Sequence, residues 1–191
     1  AIEAVGSFRS VVRTRVGSPY VIEGMEEAAD TDGGRIVGFE ANGGVLLGSE
    51  VSVNGHSLGR LPTREAVLPI LSVLAMAARE RISVADLVRR LPLRAALSDR
   101  LTEVPAEKGA ALAARLATEP AYAASLLAGI GEVAALSTID GPRFTLESGD
   151  VVHYRPSGNA PELRCYVEGA TPERAAELLR GGLEAAAKAV R

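Results

Sequence analysis

The chain has 191 residues, 47% of them hydrophobic, with 21 basic against 24 acidic side chains and a net charge of −3. That is enough apolar material for one large or two small domains, and the mild acidity disfavours nucleic acid or an acidic membrane as partner, since both select a basic surplus. One cysteine, two histidines and no tryptophan exclude a disulfide framework, a structural zinc site and an aromatic platform for single-stranded nucleic acid. The apolar runs are interrupted well short of a membrane span, no signal peptide is visible, and the cytoplasm is the expected compartment.

In chain order, Ile2, Val5 and Phe8 keep a helical spacing, and the β-branched residues 10–16 (SVVRTRV) predict a strand. Ser18 as N-cap with Pro19 in the first turn predicts a helix to about residue 29. Residues 30–34 read as a turn and residues 35–39 as a second strand. This is a βαβ unit, with parallel strands and a right-handed crossover. It sets the loop at Gly17 and Ser18 beside the loop at 40–44 (EANGG), on the carboxyl edge of the sheet where α/β proteins bind ligands. Residues 45–53 predict further strand and residues 54–60 turns. Thr63 is the expected cap of a helix over 64–79, apolar on most faces and therefore expected to be buried. Ser83 predicts the start of a short helix that Pro92 stops.

The texture changes near residue 98. Residues 98–104 predict a short strand, and 105–118 and 120–127 predict alanine-rich helices. Strands are expected over 132–139, 142–147, 151–155 and 163–168, with a hairpin turn at Ser148 and Gly149. Thr171 and Pro172 open a last helix to residue 190, in which Gly181 and Gly182 each cost about 1 kcal/mol relative to alanine. The expected organisation is a three-layer α/β domain with a mixed sheet over 1–97, then a smaller α+β domain, an antiparallel sheet with helices, over 98–191.

Chemistry concentrates in residues 154–164 (YRPSGNAPELR), a connection between two strands. Arg155, Ser157, Gly158 and Asn159 lie between Pro156 and Pro161. A phosphate dianion needs donors of this kind. Arg155 can give a planar pair of hydrogen bonds, Ser157 a hydroxyl, and Gly158 and Asn159 backbone amides at close approach. Charge-assisted bonds of this sort contribute about 1.5–3 kcal/mol each, and the prolines reduce the ordering cost. Composition alone is equally compatible with a tight turn carrying an exposed arginine.

The segment RPSGNAPELRCYVE closely resembles the phosphate-binding loop of the last domain of the α-D-phosphohexomutases, whose usual form is R-P-S-G-T-E-P. Asn159 and Ala160 stand for the threonine and glutamate. Upstream, Gly38 to Gly44 (GFEANGG) resembles the sugar-binding loop of the third domain, typically G-G-E-x-S-G-H, with Glu40 at the glutamate, Asn42 at the serine, Gly43 at the glycine and Gly44 in place of the histidine. Residues 13–18 (RTRVGS) resemble the loop before it, making Arg15 and Ser18 candidate sugar contacts. The resemblance spans nearly the whole chain, as the third domain from within its first helix and a TATA-binding-protein-like fourth domain.

The resemblance implies an isomerase of the phosphomannomutase/phosphoglucomutase type that interconverts hexose 1-phosphate and hexose 6-phosphate through a bisphosphorylated sugar. It implies a phosphosugar partner, with Glu40, Asn42, Gly43, Arg15 and Ser18 at sugar hydroxyls and Arg155, Ser157, Gly158 and Asn159 at phosphate. The family's phosphoserine loop and aspartate-rich Mg²⁺ loop have no counterpart here, so no catalytic residue and no metal site are expected in this chain, and the Mg²⁺ is expected in a missing amino-terminal half. The run at 30–35 (DTDGGR) only superficially resembles the metal loop. The absent initiator methionine fits a piece of a longer enzyme, inactive by itself and moving on a hinge near residues 94–99. A non-catalytic phosphosugar-binding module and a phosphoglucosamine mutase are the alternatives. Cys165 reads as a core residue, His153 as a structural one near the ligand, and His56 as a loop residue.

Overall fold

The structure is a computed structural model and describes residues 2–32, 34–40 and 43–191. It divides into two compact units, Ala1–Pro92 and Leu93–Arg191. Residue 97, where the sequence changes texture, falls inside a strand of the second unit.

The first unit contains α1 (Ile2–Val5), α2 (Ser18–Asp32), β1 (Val37–Phe39), β2 (Val45–Leu47), β3 (Val51–Val53), β4 (His56–Leu58), β5 (Leu61–Glu65), α3 (Val67–Glu80) and α4 (Val84–Arg89). Strands β1, β2 and β5 form one sheet in that order, with both pairings antiparallel. The helix α2 packs on it through Val21 and Met25 against Leu46, with Ile22 and Ile36 at the margin. Gly38 permits this approach, because a Cβ there would stand 2.5 Å from Val21 Cγ1 and 2.6 Å from Met25 Sδ. Strands β3 and β4 form a separate hairpin whose turn residues, Asn54 and Gly55, both have positive φ (51° and 80°), as a two-residue type I′ turn requires.

Five expectations for this unit change, the first being that residues 54–60, read as turns with His56 in a loop, contain β4, where His56 pairs with Val53. Residues 10–16 pair with no strand among the described residues, so the parallel βαβ pair does not form. Strand propensity is too small to hold a segment without a partner, and here Val12 and Val16 are exposed while Arg13 Nη2 bonds Glu3 Oε1 at 2.6 Å. The strand expected over 45–53 is two strands, broken at Gly48, whose amide bonds the Ile36 carbonyl at 2.9 Å. Thr63 lies within β5 rather than capping a helix. The helix starts at Val67, whose amide is taken by Glu65 Oε1 at 2.8 Å. The helix α3 is also not buried, since Val67, Ile70, Leu71, Leu74 and Met76 are exposed and only Ala77 is enclosed. By contrast, α4 begins as its sequence predicts: Ser83 Oγ accepts from the Asp86 amide and the Asp86 carboxylate accepts from the Ser83 amide, a capping box.

The second unit contains β6 (Ala95–Thr102), α5 (Ala106–Thr118), α6 (Pro120–Leu127), β7 (Val133–Ser137), β8 (Arg143–Leu146), β9 (Val151–Pro156), β10 (Glu162–Gly169) and α7 (Pro172–Ala189). The sheet is antiparallel throughout, in the order β6-β10-β9-β8-β7. Alternation decides its faces. Phe144, Leu146, Val152, Tyr154, Leu163, Cys165 and Val167 point into one core with Leu112, Leu116, Leu127, Leu178 and Ala186 of the helices. Arg143, His153, Arg155, Arg164 and Tyr166 therefore line the opposite face. The span expected as a hinge is instead held in the ladder: Ala95 pairs with Gly169 and Asp99 with Cys165. Helix α7 runs straight through its two glycines. A Cβ at Gly182 would meet Cys165 Sγ at 3.0 Å, and the Gly182 carbonyl accepts the Tyr154 hydroxyl at 2.8 Å, so the glycine lets the helix lie close on the sheet. Burial pushes the Cys165 thiol up to about 12, consistent with an inert core residue. No helix among the described residues is long and apolar enough to cross a membrane.

Candidate functional site

The expected anion loop joins β9 to β10 and is fixed at both ends. The Ser157 amide donates to the Glu162 carbonyl (2.9 Å), the Glu162 amide to the Ala160 carbonyl (2.7 Å), and the Val104 amide to the Pro161 carbonyl (3.0 Å). The Asn159 amide donates to Ser157 Oγ at 3.4 Å, a local turn that leaves the Ser157 hydroxyl proton uncommitted. Gly158 has no positive φ, and a Cβ there would meet nothing within 4 Å. Its amide finds no partner among the described residues. Packing among the described residues thus gives no reason for glycine at 158. What it leaves is open space beside a free amide.

Arg155 is the last arginine of β9 before this loop. Its Nε lies 2.8 Å from Asp140 Oδ2, with the two side chains only 26% and 20% exposed. Its terminal nitrogens donate to nothing among the described residues. The β-ladder adds two residues that sequence reading missed. Arg164 pairs directly with Arg155 and with Arg100, so three arginines stand in one row across the sheet face opposite the helices. Glu162 partly balances them, at 3.4 Å from Arg100 Nε and 3.8 Å from Arg164 Nη2. The signal was present: a hairpin closed by residues 157 and 162 must pair 155 with 164. His153, one row further along, sends Nε2–H to the Asp140 carbonyl at 2.8 Å, and burial holds its ring below the ordinary histidine value against the pull of Asp140.

In the first unit, Ser18 and Glu40 meet. The Ser18 hydroxyl donates to Glu40 Oε2 at 3.2 Å, so it does not cap the helix. The Gly17 carbonyl takes that role by accepting from the amides of Tyr20 and Val21. Arg64 Nε stands 3.7 Å from the same carboxylate oxygen, and Glu40 is only 7% exposed. Arg64 is a further residue the sequence did not single out. The turn after Glu40 is closed by Gly43 N to Glu40 O (3.0 Å) and Glu40 N to Gly44 O (2.9 Å), and Gly43 has φ +90°, which favours glycine. Arg15 lies over the Tyr20 ring at 5.8 Å and is not brought to Glu40 by any described contact. Asn42 lies outside the described residues, as does Gly33 of the run at 30–35. Among the described residues no group of three or more His, Cys, Asp or Glu is placed to hold a metal ion.

The chain joins two units of helix and strand, the second carrying an arginine, a serine and a glycine within four residues at the β9–β10 connection. Residues 3–94 match the alpha/beta/alpha domain III of phosphoglucomutase/phosphomannomutase, and residues 93–181 match the C-terminal domain of the same proteins. The chain belongs to the phosphoglucomutase/phosphomannomutase family. It is 50% identical over 173 residues to a phosphomannomutase of Sinorhizobium fredii, covering 91% of this chain and 36% of that protein. It is 38% identical over 176 residues to a phosphomannomutase of Salmonella muenchen, covering 90% of this chain and 36% of that one. A probable phosphoglucosamine mutase of Methanothermobacter thermautotrophicus is 29% identical over 185 residues, again 36% of its length. The chain thus spans about a third of these relatives. A solved structure of a phosphoglucomutase/phosphomannomutase family protein from Burkholderia thailandensis shares the fold with a TM-score of 0.59 at 17% identity, over 92% of this chain and 32% of that one.

Proposed function

We propose that this chain is the substrate-gripping part of a cytoplasmic phosphohexomutase acting on mannose or glucose phosphates. Arg155, Ser157, Gly158 and Asn159, with Arg164 beside them, hold the phosphate that is not being transferred. Glu40, with Ser18 and Arg64 on its carboxylate, accepts sugar hydroxyls, joined by Asn42 and Gly43 in the same loop and by Arg15. The observation that carries this reading is the β9–β10 connection, where an arginine ion-paired through Nε with its terminal nitrogens free, a free hydroxyl proton and a glycine amide unpartnered among the described residues lie within four residues. None of the described residues uses them.

In the complete protein, a phosphoryl group would pass from an enzyme phosphoserine to the free hydroxyl of the bound hexose phosphate. The bisphosphorylated sugar would then turn over and return its other phosphoryl group, so substrate and product are isomers. A grip that serves both orientations must recognise what they share, a phosphate monoester and ring hydroxyls, and its binding energy serves orientation. The phosphoserine and Mg²⁺ belong outside this chain, which by itself is expected to turn over no hexose phosphate.

Calorimetric titration of the chain with mannose 6-phosphate, glucose 1-phosphate and glucosamine 6-phosphate, against unphosphorylated mannose, tests the reading. Binding should require the phosphate, and Arg155→Ala should weaken it at least about tenfold, the loss of a charge-assisted pair. Equal affinity for mannose, or no effect of Arg155→Ala, would refute the assignment. Affinity confined to glucosamine 6-phosphate would refute the mannose/glucose preference.

A further inference from the structure

Asp140 lies outside the anion loop, yet its carboxylate stands against Arg155, the residue that leads into it. It sits in the β7–β8 connection, where the next residue, Gly141, has φ +93° and approaches β9 so closely that a Cβ would lie 2.4 Å from the Tyr154 carbonyl oxygen. The Tyr154 amide donates to the Pro142 carbonyl at 3.0 Å, and His153 Nε2 bonds the Asp140 carbonyl at 2.8 Å. Three successive residues of the turn are thereby pinned to two successive residues of β9. The backbone that carries the Asp140 carboxylate is thereby fixed against β9. One of its oxygens, Oδ2, is shut off from water and stands 2.8 Å from Arg155 Nε, not aligned for a good hydrogen bond, so the contact is held by charge and position.

A guanidinium presents three edges, and a partner on Nε removes its side edge from use. We propose that Asp140 is a positioning residue for phosphate recognition: by occupying Nε it holds the Arg155 plane in one orientation, so that the two terminal nitrogens are presented together to the phosphate. This rests on the reading of residues 155–159 as a phosphate loop and goes beyond it, because Asp140 itself touches no phosphate. It also explains why a carboxylate stands beside an anion site. Through space it repels the ligand. Its presence is useful only if ordering Arg155 outweighs that repulsion.

The two effects have opposite signs, which makes the inference sharp. Charge alone predicts tighter phosphate binding in Asp140→Asn; positioning predicts weaker binding. The experiment is a double-mutant cycle on the 191-residue chain, with mannose 6-phosphate as the probe and Asp140→Asn, Arg155→Met and the pair as variants. Asp140→Asn, close to isosteric, should weaken binding about five- to tenfold with Arg155 present and change it less than about twofold in the Arg155→Met background. Tighter binding in Asp140→Asn, or equal weakening in both backgrounds, as a merely structural role would give, would overturn the inference.

The same cycle on urea unfolding, without ligand, should show coupling between the two residues. Additive stabilities would overturn the positioning contact itself. If the unaltered chain does not bind mannose 6-phosphate while the unfolding cycle shows coupling, the phosphate reading fails and the link from Asp140 to recognition falls with it. If coupling is absent while phosphate binds, only the positioning role fails.

Discussion

Gly141 and Gly158 both flank the work of Arg155, and the chain uses them differently. At Gly141 the backbone is left-handed and a Cβ would collide with the Tyr154 carbonyl at 2.4 Å. Gly141→Ala should therefore cost about 2–4 kcal/mol in urea unfolding, from strained φ and a contact that cannot relax without moving β9. At Gly158 the backbone is ordinary and the added methyl meets open space. Gly158→Ala should leave stability within about 0.5 kcal/mol while weakening mannose 6-phosphate, because the methyl enters the volume reserved for the ligand. A stability loss at 158 equal to that at 141 would mean that the loop glycine is structural. From sequence alone the two look alike, since each is a glycine in a strand connection. Only the distance to the neighbouring strand separates them.

Among the elements, the second unit is tied together by one buried carboxylate. Asp150, just before β9, is 2% exposed and receives Arg94 from the approach to β6 and Arg174 Nε from α7 at 2.9 Å, while Arg174 Nη2 also reaches the Ile130 carbonyl at 2.8 Å. Burial alone would raise its pKa, but the bonds from Arg174 and Ser148 and the two guanidinium charges outweigh it and hold the carboxyl below the ordinary aspartate value. A lowered folded pKa contributes stability that is present above the unfolded value, about 4, and is lost as pH falls through the folded one. The melting temperature should accordingly fall below about pH 4, and Asp150→Asn should flatten that fall while costing about 3 kcal/mol at neutral pH by stranding the arginines. An unchanged acid profile in Asp150→Asn would contradict this. The strands of this unit were legible because β8 and β10 alternate between core and surface, as β9 does from Val152 to Arg155, and their turns carry glycine and proline. In the first unit residues 10–16 had strand propensity but no strand partner among the described residues, and α3 was apolar yet is left exposed by them. Both depend on neighbours that local sequence does not encode. The contact between Ser18 and Glu40 was expected from a parallel pair; it arises instead from the start of α2 meeting the end of β1.

For the whole molecule, the two units differ in what holds them. The second buries residues from three strands and three helices in a single core, whereas the first fully encloses little beyond Val21, Met25, Leu46 and Leu47. Hydrogen exchange should therefore be slowest in β9 and β10 and much faster through α2 and β1, with the first unit lost at lower denaturant. Uniform protection across both would contradict that ordering. The family was readable because a short, polar, proline-bounded loop carries its motif, while the places of Arg164, Arg64 and Asp140 were not, because ladder register and turn geometry bring them in. The central claim, that the β9–β10 loop is where a hexose phosphate is held, is tested most directly by a crystal structure of the chain with mannose 6-phosphate. The account predicts phosphate oxygens at about 3 Å from the Arg155 terminal nitrogens, the Ser157 hydroxyl and the Gly158 amide. A bound sugar phosphate whose phosphate lies elsewhere, with that loop unchanged, would contradict it.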